Sequence, residues 1–233
     1  MGVEAVVFDW GGTLSVWADI DISTMWLAAA RHIAPARDAE LTGALIAAEA
    51  LSWERVRTDR RSTRLADLLA AACAEIDLDV PGPALEGAAT CHLDAWVPYV
   101  RHQGDAATVL SRLKAAGLKV GLLSNTHWPR SFHERFLDRD GLAGLIDVRF
   151  YTSDMDYVKP HPSAYLDVLE ALGVQDPASA VFVGDRLYDD VWGARQAGLR
   201  AVWLRNPRAP YFDAEPDGVI DSLSELPALL AGL

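Results

Sequence analysis

Asp9, Ser124, Lys159 and Asp185 are scattered along the chain, yet together they carry the groups that phosphoryl chemistry needs. An aspartate can attack phosphorus, splitting one hard transfer into two easier steps through an aspartyl phosphate. Asp9 and Asp185 are also hard oxygen ligands, and Mg²⁺ takes one or two such carboxylates while keeping several waters. Lys159 offers a compact positive charge to transferring oxygens, and the hydroxyl of Thr13 or Ser124 offers them a hydrogen bond. Gly11 and Gly12 follow Asp9 closely. Without Cβ atoms the backbone turns sharply there and its amides approach a phosphate. Gly12, Thr13 and Asn125 are therefore candidate substrate contacts in a site built for Mg²⁺ and a phosphate-like group.

A sheet must position these residues. Short continuous apolar runs at residues 3–8, 118–124, 146–152, 180–184 and 200–204 predict strands covered on both faces. Helical stretches at 105–116, 129–138, 162–172, 188–197 and 222–231 alternate with them, a rhythm that predicts parallel strands joined by right-handed crossovers. Ligands of such sheets sit at the carboxyl ends of the strands. Asp9, Ser124 and Asp185 stand at three of those ends, and Lys159 follows the third strand.

The rhythm breaks once. Residues 16–103 offer no convincing strand, only amphipathic segments at 22–33, 39–57, 62–76 and about 85–96, with a turn at Pro81-Gly82-Pro83. The expected architecture is a Rossmann-like parallel sheet sandwiched by helices (residues 1–15 and 104–233), with a helical cap (residues 16–103) inserted after strand one.

Composition bounds the rest. The chain has 233 residues, 51% hydrophobic and 23% charged, which is ordinary globular composition. Its net charge of −12 argues against nucleic acid, whose phosphates need Lys and Arg. It does not argue against a small anionic substrate, because a pocket on an acidic protein can be locally positive. No apolar run approaches the ~18 residues that span a bilayer, so no membrane partner is expected. Glu4 and a short strand open the chain where an export signal would place basic residues, so a cytoplasmic location is expected. Cys73 and Cys91 then read as free, buried thiols. A monomer and a homodimer are both compatible with the sequence.

Four segments stand in a telling order: Phe8-Asp9-x-Gly-Gly-Thr13, Ser124, Lys159-Pro160, and Gly184-Asp185-x-x-x-x-Asp190-Val-x-Gly-Ala194 continuing to Ala197-Gly198. This set resembles the four motifs of the haloacid dehalogenase superfamily, most of whose members are phosphatases, and the likeness covers the whole core. The helical insert is similar to that family's commonest cap. The resemblance implies that Asp9 is both nucleophile and metal ligand, that the Gly11 carbonyl and Asp185 complete the protein's metal ligands, and that Asp190, with Asp189, holds the metal's waters or Lys159. A helix-capping role is the alternative for the last two, since carboxylates favour a first helical turn.

One departure bears on the chemistry. Family phosphatases carry a second Asp two residues after the nucleophile, which protonates the leaving oxygen and later activates water; this chain has Gly11. A positioned acid–base group is worth ~10²–10⁴ in rate. Its loss matters least for anhydrides, acyl phosphates and aryl phosphates, whose leaving groups depart unaided. His127 is the nearest replacement, although an exposed loop position is the simpler account of it. The first motif is also similar to that of phosphonoacetaldehyde hydrolases, which need a cap lysine for their Schiff base. Lys114, Lys119 and Lys159 are the chain's lysines and none lies in the insert, which sets that chemistry aside. Two alternatives to a phosphohydrolase remain: a carbon–halogen hydrolase of the same superfamily, and a non-catalytic relative that binds phosphate or a metabolite without turnover.

The insert carries Trp26, Trp53, Trp96 and Tyr99, with an arginine cluster at Arg55, Arg57, Arg60, Arg61 and Arg64. Tryptophans at helical spacing read first as bundle core and an arginine run as a solvated face. Trp17 is the exception. It lies just past the Asp9 loop, where the chain leaves the core, and is expected to line the pocket.

Overall fold

The computed structural model describes residues 2–233. Six strands, β1 (Ala5–Phe8), β2 (Lys119–Ser124), β3 (Val148–Tyr151), β4 (Ala180–Gly184), β5 (Arg200–Leu204) and β6 (Gly218–Ile220), form one sheet in the order β3-β2-β1-β4-β5-β6. Every pairing is parallel. The chain builds outward from β1 to β3, then returns to β4 and builds the other way. Strand order therefore reverses between β1 and β4, and a crevice opens beyond their carboxyl ends.

Strand periodicity divides the core in two. Val6 and Phe8 of β1 face α5 (Ala106–Ala115), α6 (Arg130–Arg139) and α9 (Leu226–Leu230), packing with Val109, Leu110, Phe136 and Leu226. Ala5 and Val7 face the opposite layer, α7 (Pro162–Leu172) and α8 (Gly193–Gln196), where Tyr165, Val168, Phe182 and Ala194 gather. Both faces being covered explains why these strands read as unbroken apolar runs.

Between β1 and β2 run α1 (Ile22–Ile33), α2 (Asp38–Val56), α3 (Leu65–Glu75) and α4 (Gly82–Trp96). They bury a core of their own around Trp26, Leu41, Leu45, Leu69 and Ala88. Asp21 caps α1 by accepting from the Ser23 amide, and Arg31 and His32 complement the dipole at its far end. Residues 60–62 run beside residues 156–158, just before Lys159: Arg61 bridges Tyr157, the Ser62 amide donates to the Asp156 carbonyl, and the Val158 amide donates to the Arg60 carbonyl.

Four elements differ from the sequence expectation, among them the helix expected over 222–231, which is a 3-10 turn at Leu223–Glu225 and then α9. β6 has three residues at the sheet edge with Val219 exposed, too short and too polar-flanked to register as a strand. The third helix of the insert begins at Leu65, where the Asp67 carboxylate caps the Arg64 amide, after Arg60 takes a left-handed φ of 55°. The helix expected over 188–197 is split into a π-helical turn, Leu187–Trp192, and then α8. The wide turn follows from Asp190, whose carboxylate accepts from the Arg186 amide at 2.9 Å and packs against Gly184, leaving no room there for a Cβ. Both cysteines are free; Cys73 is buried and Cys91 half-buried. No helix among the described residues is long and apolar enough to cross a membrane.

Candidate active site

β1 and β4 are hydrogen-bonded neighbours, so the residues that follow them, Asp9 and Asp185, emerge side by side, and the π-helical turn swings Asp190 in beside them. Carboxylate oxygens of these three buried aspartates lie within 4.8 Å of one another. Lys159, itself buried, donates to Asp9 Oδ1 and to Asp190 Oδ1, each at 2.7 Å. Burial disfavours its ammonium, but Asp190 and Asp9 outweigh that and hold its pKa above the ordinary lysine value. Lys159 is positioned through its backbone: the Asn125 side chain donates to the Lys159 carbonyl and accepts from its amide, both at 2.9 Å. The Lys159–Pro160 peptide is cis.

Three carboxylates against one ammonium leave the site short of positive charge. Desolvation, reinforced by Asp190 and Asp185 and opposed by Lys159, raises the Asp9 pKa to about 7. Burial and Asp190 raise Asp185 as well, against hydrogen bonds from Trp17 and Asn206. Those two side chains donate to Asp185 Oδ2 at 2.8 and 2.6 Å, while Oδ1 is buried without a partner. A buried carboxylate oxygen left bare in an acidic cluster suits a hard cation, so the donor set fits Mg²⁺.

A cavity of about 390 Å³ opens onto this cluster. Asp9, Gly11, Gly12, Trp17, Ser124, Asn125, Lys159 and Asp189 all reach its wall. Gly12 has a φ of 85°, and a Cβ there would meet Asp185 Oδ2 at 2.5 Å and the Trp17 indole closer still; only glycine fits. Asp189 pairs with Arg186 at 3.6 Å, and burial with Asp190 nearby lifts its pKa to about 6. Asp190 holds Lys159; Asp189 does not reach it.

Several expectations need correcting. Thr13 was a candidate substrate contact, but it is fully buried with its hydroxyl unpartnered and lies outside the cavity wall, because the chain turns inward after Gly12. Asn125 reaches the wall, but its amide is occupied by the Lys159 backbone. His127 is not an exposed loop residue. It is buried, packs tilted against Trp53 and donates from Nδ1 to the Thr63 carbonyl at 3.0 Å. Burial lowers its pKa, so Nε2 is left an acceptor with no proton to give a leaving group. Trp26 does fill the insert's core, whereas Trp53, Trp96 and Tyr99 line the cavity. Of the arginine cluster, Arg55, Arg57, Arg61 and Arg64 are exposed and none of the five lines the cavity.

Sequence reasoning missed Asn206 and Trp203, whose indole donates to the Asp185 carbonyl at 3.0 Å. Both lie at the end of β5, the strand next to β4, so the strand-end rule extended by one strand would have found them. It also missed Trp10 and Trp128, which join the cavity wall.

The family model for haloacid dehalogenase-like hydrolases matches residues 3–198. A glyceraldehyde 3-phosphate phosphatase of Pyrococcus furiosus is 34% identical over 135 residues, 57% of this chain and 54% of the relative, so the match spans about half the length of that curated protein. Among solved structures, a HAD phosphatase from Thermococcus onnurineus superposes with a TM-score of 0.64 at 26% identity, covering 99% of each chain. A 2-haloacid dehalogenase from Pseudomonas syringae gives 0.68 at 25% identity, again over 99% of each.

Proposed function

The chain belongs to the haloacid dehalogenase-like hydrolases, and from that premise we propose that it is a Mg²⁺-dependent phosphohydrolase with Asp9 as nucleophile and a small phosphorylated metabolite as substrate. The observation that carries this reading is the buried cluster of Asp9, Asp185 and Asp190, ion-paired through Lys159, with the nearby Arg186 paired to a fourth carboxylate, Asp189, and with Asp185 Oδ1 unsatisfied. Burying three carboxylates beside one ammonium is costly unless further positive charge joins them. The Asp9 and Asp185 carboxylates and the Gly11 carbonyl would hold Mg²⁺. When bound, the ion supplies charge neutralisation for the incoming phosphoryl group.

The chain's own residues do the remainder. Lys159 fixes Asp9 through Oδ1, which supports attack on phosphorus from Oδ2. The same ammonium, with the Ser124 hydroxyl and the amides around Gly12, is set against the equatorial oxygens of the phosphoryl group. Asn125 and Asp190 keep Lys159 in place from its backbone and from its head. Residues 16–103 serve as a cap over the core of residues 1–15 and 104–233, in keeping with the separate core of α1–α4 and with a cavity walled from both parts. Closure of the cap would exclude water from the aspartyl phosphate until the leaving group departs.

The test is phosphate release from a panel of activated and ordinary phosphates, with Mg²⁺ and with EDTA, for the natural chain and Asp9→Asn. Turnover that needs Mg²⁺ and disappears in Asp9→Asn is expected; release that survives the substitution would remove Asp9 from the mechanism. The likeness to a 2-haloacid dehalogenase supports a second reading, halide release from a 2-haloacid, and the same panel extended by such a compound decides between them.

A further inference from the structure

The cavity above Asp9 narrows the substrate class, on the footing that the protein is the phosphohydrolase just described. Away from the carboxylates its wall is aromatic. Trp10 meets Trp128 edge-on with ring centroids 6.2 Å apart, Trp128 meets Trp96 at 5.0 Å, and Trp53 lies tilted over His127 at 4.1 Å.

Most of the polar groups in that wall are already committed, with the Ser124 and Tyr99 hydroxyls and His127 Nε2 among the exceptions. Lys159 is held between Asp9 and Asp190, while Arg186 pairs with Asp189 and lies over the Trp17 ring. Glu49 accepts from the Trp26 indole at 2.8 Å, and burial raises its pKa. Thr126 Oγ1 bonds His133 and the Trp128 amide, and the Asn125 amide is spent on Lys159. A sugar or nucleotide would bring hydroxyls and a second anionic group to a wall with few free partners for either, and unpaired polar groups are costly to bury. A flat ring finds π-faces instead.

We propose that this enzyme hydrolyses aryl phosphates, monoesters of a flat, uncharged phenol whose ring stacks among Trp53, Trp96 and Trp128. Gly11 points the same way. A phenol has a pKa near ~10, as in tyrosine, so its oxide leaves without the proton donor that an alkoxide needs. An Asp9 carboxylate oxygen forms a bond to phosphorus as the bond from phosphorus to the aryl oxygen breaks. The aryl oxide departs with the electron pair and takes its proton from solvent. Water then attacks the phosphorus of the aspartyl phosphate, releasing inorganic phosphate and a proton and restoring Asp9.

The experiment compares kcat and KM for 2-naphthyl phosphate, phenyl phosphate, acetyl phosphate, glycerol phosphate and phosphocholine, using the full chain with Mg²⁺. Acetyl phosphate is the control for leaving-group activation without a ring. The expected result is a KM for 2-naphthyl phosphate about tenfold below that for acetyl phosphate. Trp53→Ala should raise the naphthyl KM about tenfold more than the acetyl KM, and Trp53→Phe should recover most of the difference. Equal kcat/KM for the naphthyl and acetyl compounds overturns the aryl class. So does a preference for phosphocholine, which would make the aromatic wall and Glu49 a cation site. Phosphate release from none of the five overturns the phosphohydrolase reading itself, and this inference with it.

Discussion

Restoring the proton donor that the site lacks is the sharpest test of how it works. Gly11 reaches the cavity wall, its φ is not positive, and a Cβ built there meets nothing within 4 Å. Gly11→Asp therefore introduces a carboxyl into open space without backbone strain. The neighbouring Asp9, Asp185 and Asp190 disfavour a further negative charge, so the new group stays protonated more readily than an exposed aspartate and is poised to act as an acid. A well-placed acid lowers the barrier by ~2.7–5.4 kcal/mol, a rate gain of ~10²–10⁴. With no side chain nearby to fix its rotamer, the lower end of that range, about 10², is expected.

The assay is kcat/KM across phosphate esters whose leaving groups run from nitrophenol to simple alcohols. In the natural protein log kcat/KM should fall steeply as the leaving oxygen becomes more basic. In Gly11→Asp the slope should flatten, the gain growing with basicity, while Gly11→Asn keeps the steep slope. An unaltered slope in Gly11→Asp, with the protein folded and Mg²⁺ bound, would refute the idea that the missing acid limits this enzyme.

Two further predictions follow from the buried polar groups. Asn125→Ala removes both hydrogen bonds that clip the Lys159 backbone; it should cost about 2–3 kcal/mol in urea unfolding and lower kcat more than it raises KM. Acid should also destabilise the fold through two buried imidazoles, since burial depresses His133 to about 3 and His92 to about 4. The unfolded chain takes up these protons first, as pH falls below ~6.5, so this stability is present above that pH and lost beneath it, by on the order of 6 kcal/mol between pH 7 and pH 4. Asp9 and Asp189, raised to about 7 and about 6, take up protons in the folded state over the same range and offset much of this loss. The readout is therefore the difference between the natural chain and His133→Gln, which should lose less, in urea titrations at pH 7, 5.5 and 4; an equal pH dependence in the two would contradict the buried neutral state.

The parts of this molecule legible from sequence share one property: they are set by local pattern. β1, β2 and β4 are runs of apolar residues buried on both faces, and Asp9, Ser124 and Asp185 are found by reading what stands at their ends. β6 escaped because three residues at a sheet edge, one of them glycine, have no pattern to read. The tryptophans of the insert were harder for another reason. Helical spacing shows that a residue faces inward, but a bundle core and a substrate cavity are both inward, so Trp26 and Trp53 look alike until the helices are placed. The contacts that Trp17 and Asn206 make with Asp185 join residues 168 and 21 positions apart, and only the folded sheet brings those ends together.

The charge balance at Asp9 also bears on why position 11 carries no acid. With three carboxylates around one ammonium, the polypeptide alone relieves its excess of negative charge by pushing protons onto carboxylates, which is what a pKa of about 7 at Asp9 expresses. In that field a fourth carboxyl would be easy to keep protonated, so electrostatics did not forbid an acid there. Nor did space, since the position opens onto the cavity. What remains is the substrate. A leaving group that departs as a stable oxide gains little from a donor and has every use for the room that a side chain would take. On the aryl phosphate reading proposed above, Gly11 and the aromatic wall are two consequences of one requirement, to fit a broad ring over the bond that breaks.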